Sequence, residues 1–462
     1  MITNKFFTLV ATTFFLNAAL TFHPANAAQT AFVGVNVVSV ENGAIVEDQT
    51  VIIEDGLITV MGPKESTSPA IDAKLIDGTG KFLMPGLADM HIHFLNQDFM
   101  NALLKKDDPI QPIENMLYLY LANGVTTVRV MAGFPEILEL RDAIERGDVL
   151  GPRLIVTTPL LDGAKPIWFP PLGYPVTTAD AARQTVQDAK KDGYDMIKVY
   201  TLLPRDAYDA IIDEAKKVGL KVVGHVPVAV GLEHALESGQ NEITHAEEYW
   251  RFTRDYSDEV IGKFTSMTAK SGAWYSPTMT TYNDQMSDGE SVMNRPENRY
   301  LDPVILDFWK TRVPPTMKTE KAKEMWAKRV NVLKDFMFRL VKGMYDAGVP
   351  LMTGTDALNP MAMPGFALHR ELALFVETGI PIADTLRAAT TNPAKFMSES
   401  DEWGSIASGR RADLVLLNAN PLEDIGNTKT IDGVMIRGQW LEDDTIQAQL
   451  NAFAKENDDS RN

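Results

Sequence analysis

Seven histidines serve a chain of 462 residues, and two of them stand one residue apart in the apolar run GLADMHIHF (86–94). Side chains alternate along a strand, so His91 and His93 share a face, and Asp89 joins them. Four more residues with cation-binding chemistry close comparable runs: Lys198 in MIKVYT, His225 in KVVGHVP, His245 in EITHAEEY and Asp356 in PLMTGTDA. Imidazole and carboxylate are the donors that zinc and similar divalent metals accept, and each histidine must be neutral to serve. Histidines buried only for packing have no reason to gather at strand ends. Lys198 also admits a plainer reading as an ion-paired structural lysine. Asp89 lies deeper on the His91 face and reads as structural support. Tyr200, two residues beyond Lys198, reads either as a substrate contact or as a packing tyrosine. His234 and His369 have helical surroundings and stay outside the site, while Glu247 and Glu248 read either as pocket acids or, more commonly for such residues, as solvated loop carboxylates.

These residues need elements that converge. Eight strand-like runs recur through the middle of the chain, at 87–94, 124–131, 153–160, 196–201, 221–227, 242–249, 274–281 and 350–357. Helical patterns lie between them, as in TTADAARQTVQDAKKDG (177–193) and PRDAYDAIIDEAKKVG (204–219). Alternating strands and helices on this scale predict an α/β protein, a (β/α)8 TIM barrel over residues 85–401. Its chemistry belongs at the C-terminal mouth, where all six candidate ligands fall. The rival, a doubly wound open sheet, calls for a glycine fingerprint after its first strand, and none follows there. Two insertions, 162–176 and 282–340, belong at the same mouth, where such loops shape pockets. Short β-branched runs punctuated by Glu41-Asn42-Gly43 and Glu54-Asp55-Gly56 mark hairpins near the start, and ADLVLLNAN (412–420) and DGVMIRGQWL (432–441) match them near the end. Together they predict a small β-sandwich domain built from both termini, 28–84 plus 402–445, leaving 446–462 as a polar tail.

The first 27 residues stand apart. Lys5 precedes an uncharged run from Phe6 to Phe22, and Ala25-Asn26-Ala27 offers a small-x-small cleavage site. This predicts a secretory signal peptide and an exported protein, periplasmic or secreted, with no membrane association once the signal is removed. A formal net charge of −18 argues against nucleic acid and anionic lipid as partners. The absence of cysteine removes disulfides, thiolate-bound zinc and thiol nucleophiles at once.

PGLADMHIH, TGTDA, and NPLEDIGNTKTIDGVMIRGQW resemble the opening HxH signature, the closing aspartate and the returning β strands of the metal-dependent amidohydrolase superfamily, across nearly the whole mature chain. GVTTVR, IKVY, GHVP and GFALHRELALFVETGI resemble its imidazolonepropionase-like branch, which contains the Xaa-Pro dipeptidases or prolidases. One departure is Val130-Met131-Ala132, where that branch often has Asp-Met-Gly; no role of that aspartate carries over. The resemblance implies two divalent cations, zinc first, with manganese, cobalt or iron as alternatives. It places His91, His93 and Asp356 on the buried one, His225 and His245 on the more exposed one, and a carbamylated Lys198 between them. A bridging hydroxide would then attack, with Asp356 as proton shuttle. The implied substrate is a small molecule or short peptide, cleaved at an amide bond in dipeptidase fashion, Xaa-Pro or N-acyl amino acid. Lactone or organophosphate ester hydrolysis stays open on the same site, as does an exported metal-binding protein without turnover. Oligomeric state is not readable.

Overall fold

β-branched residues draw the N-terminal segment into β1 (Thr30–Ser39), β2 (Ala44–Glu54), β3 (Leu57–Pro63), β4 (Lys74–Asp77) and β5 (Phe82–Pro85). The turn between β2 and β3 shows why the sequence reads Asp55-Gly56: both residues take positive φ, at 50° and 76°, as a tight hairpin turn demands. This computed structural model describes residues 29–94, 111–287, 289–312 and 320–460. The segment 1–27, expected to be a signal peptide, lies outside the described residues, as does part of the 282–340 insertion.

The N-terminal strands join β15 (Leu414–Leu417), β16 (Ile431–Ile436) and β17 (Gln439–Glu442) in one eight-stranded sheet, ordered β17-β16-β15-β5-β1-β2-β3 with β4 beside β1. Phe32, Val35, Val51, Ile58, Leu414 and Met435 form the sheet's own apolar core. Both ends of the chain therefore meet in a single element, as their matching patterns predict. The C-terminal segment differs from expectation. Residues 446–462 are not a plain polar tail, because a helix runs Asp443–Asp459 and buries Ile446, Leu450 and Phe453. Those positions are spaced by four and three, so they share one face, and Phe453 meets Tyr118 edge-on at 5.7 Å.

The middle of the chain is parallel. β6 (Leu87–Ile92), β7 (Val125–Val130) and β8 (Arg153–Val156) form one sheet. β9 (Leu160–Asp162), β10 (Gly173–Pro175), β11 (Met196–Val199), β12 (Lys221–Gly224), β13 (Glu242–Thr244) and β14 (Trp274–Ser276) form another. From β11 to β14 each strand pairs with its successor, without the order reversal of a doubly wound sheet. Isolated parallel bridges join Thr157 to Met196, Tyr275 to Leu351 and Ile92 to Ala357. They link the two sheets to each other and to the segment 350–357. Helices Ala179–Asp192 and Arg205–Val218 fall where their patterns predict. Two expected strands give way to helices, the run at 242–249 to Glu247–Trp250 and that at 274–281 to Met279–Gln285, and the expected strand at 350–357 forms only isolated bridges at Leu351 and Ala357.

Candidate metal centre

β6 delivers His91 and, one residue past its end, His93. His91 is fully buried, and among the described residues neither ring nitrogen has a hydrogen-bond partner. Asp356 faces both rings, its Oδ1 lying 3.4 Å from His91 Nε2 and 3.1 Å from His93 Nε2. Asp89 explains why the two segments meet. It accepts from the Thr355 amide at 2.9 Å and the Thr355 hydroxyl at 2.6 Å, tying β6 to the segment that carries Asp356. The supporting role read for it therefore holds, and burial pushes its carboxyl up to about 7.

β11 sends Lys198 into the same space, fully buried, with no hydrogen-bond partner on its Nζ among the described residues. Its stem runs beside Gly224 at the end of β12, where a Cβ would stand 2.7 Å from Lys198 Cδ. No side chain fits there. The next residue is His225, and His245 follows β13 in the same way. The His225 and His245 rings lie 4.7 Å apart, and those of His91 and His245 4.5 Å apart, centroid to centroid. Ligand atoms of His91, His245 and Asp356 lie within 4.8 Å of one another. All six residues singled out from the sequence are thus brought together. His245 and Asp356 both hold left-handed backbone, at φ 73° and 58°. Such conformations cost about 1–3 kcal/mol each and gather at functional sites.

The electrostatics favour cation binding. Burial, helped by the Lys198 charge, holds the imidazoles of His91 and His225 neutral, and burial does the same for His245. Burial likewise lowers Lys198 to about 7, against the pull of Asp356. Burial opposes ionisation of Asp356, but His245, His93 and Lys198 outweigh it and hold the carboxyl below its usual range. Neutral imidazoles, an ionised carboxylate and buried nitrogens without partners are the donors a divalent cation requires. The residues present fit such a group.

Two supports were not legible. Glu248, expected as a solvated carboxylate, is fully buried. It accepts from His225 Nδ1 at 2.7 Å, the Val226 amide at 2.9 Å and Arg251 at 2.8 Å. That bond leaves His225 Nε2 as the free donor atom. Thr278 Oγ1 does the same for His245, 2.7 Å from its Nδ1. Below them, the fully buried Arg129 donates to the Met90 carbonyl at 2.7 Å and to Glu242 at 2.6 Å, bracing β6, β7 and β13. His234 pairs with Asp209 at 2.6 Å and His369 contacts Thr428 at 3.0 Å, both away from the site as read.

A cavity of about 210 Å³ opens onto this centre, lined by His93, Lys198, Tyr200, His225, His245 and Asp356 among others. Trp168 and Leu172 from the 162–176 insertion and Tyr282 and Gln285 from the later one reach its wall, as expected. Tyr200 belongs to the wall, and its Oη accepts from Trp168 Nε1 at 3.1 Å.

The model of the amidohydrolase family matches residues 82–441. The chain is 24% identical over 433 residues to the ochratoxinase of Aspergillus niger, covering 83% of this chain and 80% of that protein. It is 23% identical over 413 residues to the imidazolonepropionase of Geobacillus sp. (strain WCH70), covering 81% and 84%. In fold it is similar to the crystal structure of a Xaa-Pro dipeptidase with methionine bound in its active site, at TM-score 0.67 and 22% identity, covering 90% of this chain and 100% of that chain. The kinship read from GVTTVR, IKVY and GHVP is met by these relatives.

Proposed function

Given that this chain belongs to the amidohydrolase family and is therefore a hydrolase, we propose that it cleaves amide or peptide bonds in small substrates, in dipeptidase fashion, at a centre for two divalent cations. The observation that carries this reading is the convergence of His93, His225, His245, Asp356 and Lys198 on one small cavity, with His91 buried against His245 and Asp356. His91, His93 and Asp356 would hold one cation and His225 and His245 the other, and a carbamylated Lys198 would serve both. Zinc leads, with manganese, cobalt and iron accepted by the same donors. When bound, such cations supply an activated water and a polarised substrate carbonyl.

The chain's own residues do the rest. Asp356, kept ionised, takes a proton from the attacking water and returns it to the leaving nitrogen. Burial keeps the Tyr200 hydroxyl protonated. Because its oxygen already receives the Trp168 N–H, its own proton is free for the oxygen of the substrate carbonyl, where charge builds up. Glu248 and Thr278 hold the two imidazoles in one tautomer, and the insertions wall out water.

The same reading closes the parallel strands into a (β/α)8 barrel over 85–401, supported by the three bridges that connect β8 to β11, β14 to 350–357, and 350–357 back to β6. The sheet from both termini, 28–84 plus 402–445, folds over its core as a β-sandwich, supported by the Leu57–Arg411 bridge from edge strand β3 to the segment that leads into β15. Residues 1–27 direct export to the periplasm or medium and are removed after Ala27. No helix among the described residues is long and apolar enough to cross a membrane. A screen of metal-loaded protein against dipeptides, N-acyl amino acids, lactones and phosphotriesters tests the reading. Turnover confined to the first two classes is expected, and a preference for either of the last two contradicts it.

A further inference from the structure

Glu247 and Glu248 adjoin in sequence and do opposite things. Glu248 is saturated by His225, Val226 and Arg251, whereas Glu247 lines the cavity. Glu247 Oε2 accepts the Tyr282 hydroxyl at 2.8 Å, and no described residue donates to its Oε1. Tyr282, Trp168 and Tyr200 stand around the same space. Among the described lining residues there is no arginine and no lysine besides Lys198. The nearby guanidinium, Arg251, is turned to Glu248 and the Val226 carbonyl instead.

Resting on the hydrolase reading above, we propose that the cavity contains a subsite for a protonated amino group, built from the Glu247 carboxylate and the rings of Tyr282, Trp168 and Tyr200. A carboxylate in a partly desolvated, aromatic-walled space favours an ammonium through a charge-assisted hydrogen bond and through attraction to the ring faces. A substrate carboxylate finds no matching guanidinium among the described lining residues. The subsite therefore selects between the two substrate types the centre admits. A dipeptide with a free α-amino group is taken, and an N-acyl amino acid, whose amine is blocked, is not.

Three probes with one side chain separate the charges: leucinamide is a cation, N-acetyl-leucinamide is neutral and N-acetyl-leucine is an anion. Their binding to the metal-loaded full chain is measured by calorimetry, which needs no turnover. Leucinamide should bind tightest, and Glu247→Gln should weaken it roughly tenfold to a hundredfold while leaving the other two unchanged. Glu247→Asp, which keeps the charge, should restore the order. Tighter binding of N-acetyl-leucine, a Gln variant equal to wild type, or an Asp variant no better than Gln overturns the subsite. Failure of the hydrolase reading shows separately, as an absence of turnover in protein that still ranks the probes this way.

Discussion

Asp356 carries two duties at once, since its Oδ1 faces His91 and His93 while its charge is held by His245, His93 and Lys198. Asp356→Asn keeps the shape and removes the proposed base. It should lower kcat on a cleaved dipeptide by roughly 10²–10⁴-fold with little change in melting temperature; an undiminished rate would remove Asp356 from proton transfer. Glu248 acts one step further out. Glu248→Gln can accept from His225 or from the Val226 amide but not from both. Cation affinity, read by competition with a chelator, should fall by about 10–100-fold, and unchanged affinity would make Glu248 a packing residue. The six converging residues were legible because imidazoles, a lysine and an aspartate at strand ends have few other uses. Glu248 was not, because successive residues on a helical turn point about 100° apart and the sequence does not say which of two glutamates faces inward.

At the level of elements, the helix Phe366–Glu377 is fixed to the helix Met279–Gln285 by Glu371, fully buried. Its carboxyl accepts from the amides of Met279 at 3.0 Å and Thr280 at 2.7 Å. Burial raises this group from 4.5 to about 8, so the folded protein retains a proton that the unfolded chain releases. The sign follows from that. Its contribution is complete below the unfolded value and fades as pH rises through about 8. The melting-temperature advantage of wild type over Glu371→Gln should therefore shrink across that window, and a gap that widens with pH would show the carboxyl ionised in the fold. Strands β6, β7, β11 and β12 were readable from their apolar runs. The helices after His245 and after β14 were not, because HAEEYW and TMTTYND lack enough length for a helical period to emerge.

The whole molecule joins a sheet made from both chain ends to a parallel α/β body whose strands gather the candidate ligands. Matching β patterns at the two termini made that union legible, whereas the closing helix was hidden because Ile446, Leu450 and Phe453 are diluted by Asp, Gln and Asn. Helix Asp443–Asp459 packs Phe453 against Tyr118, so it belongs to the folded body rather than trailing from it. What would unite these parts functionally is the proposed pair of cations shared by six side chains, and elemental analysis addresses that pair directly. Purified chain loaded with zinc and freed of excess should retain about two divalent ions per molecule and lose hydrolysis when a chelator strips them. A protein that keeps one ion or none at full activity, or that still turns over substrate after chelation, contradicts the two-cation centre.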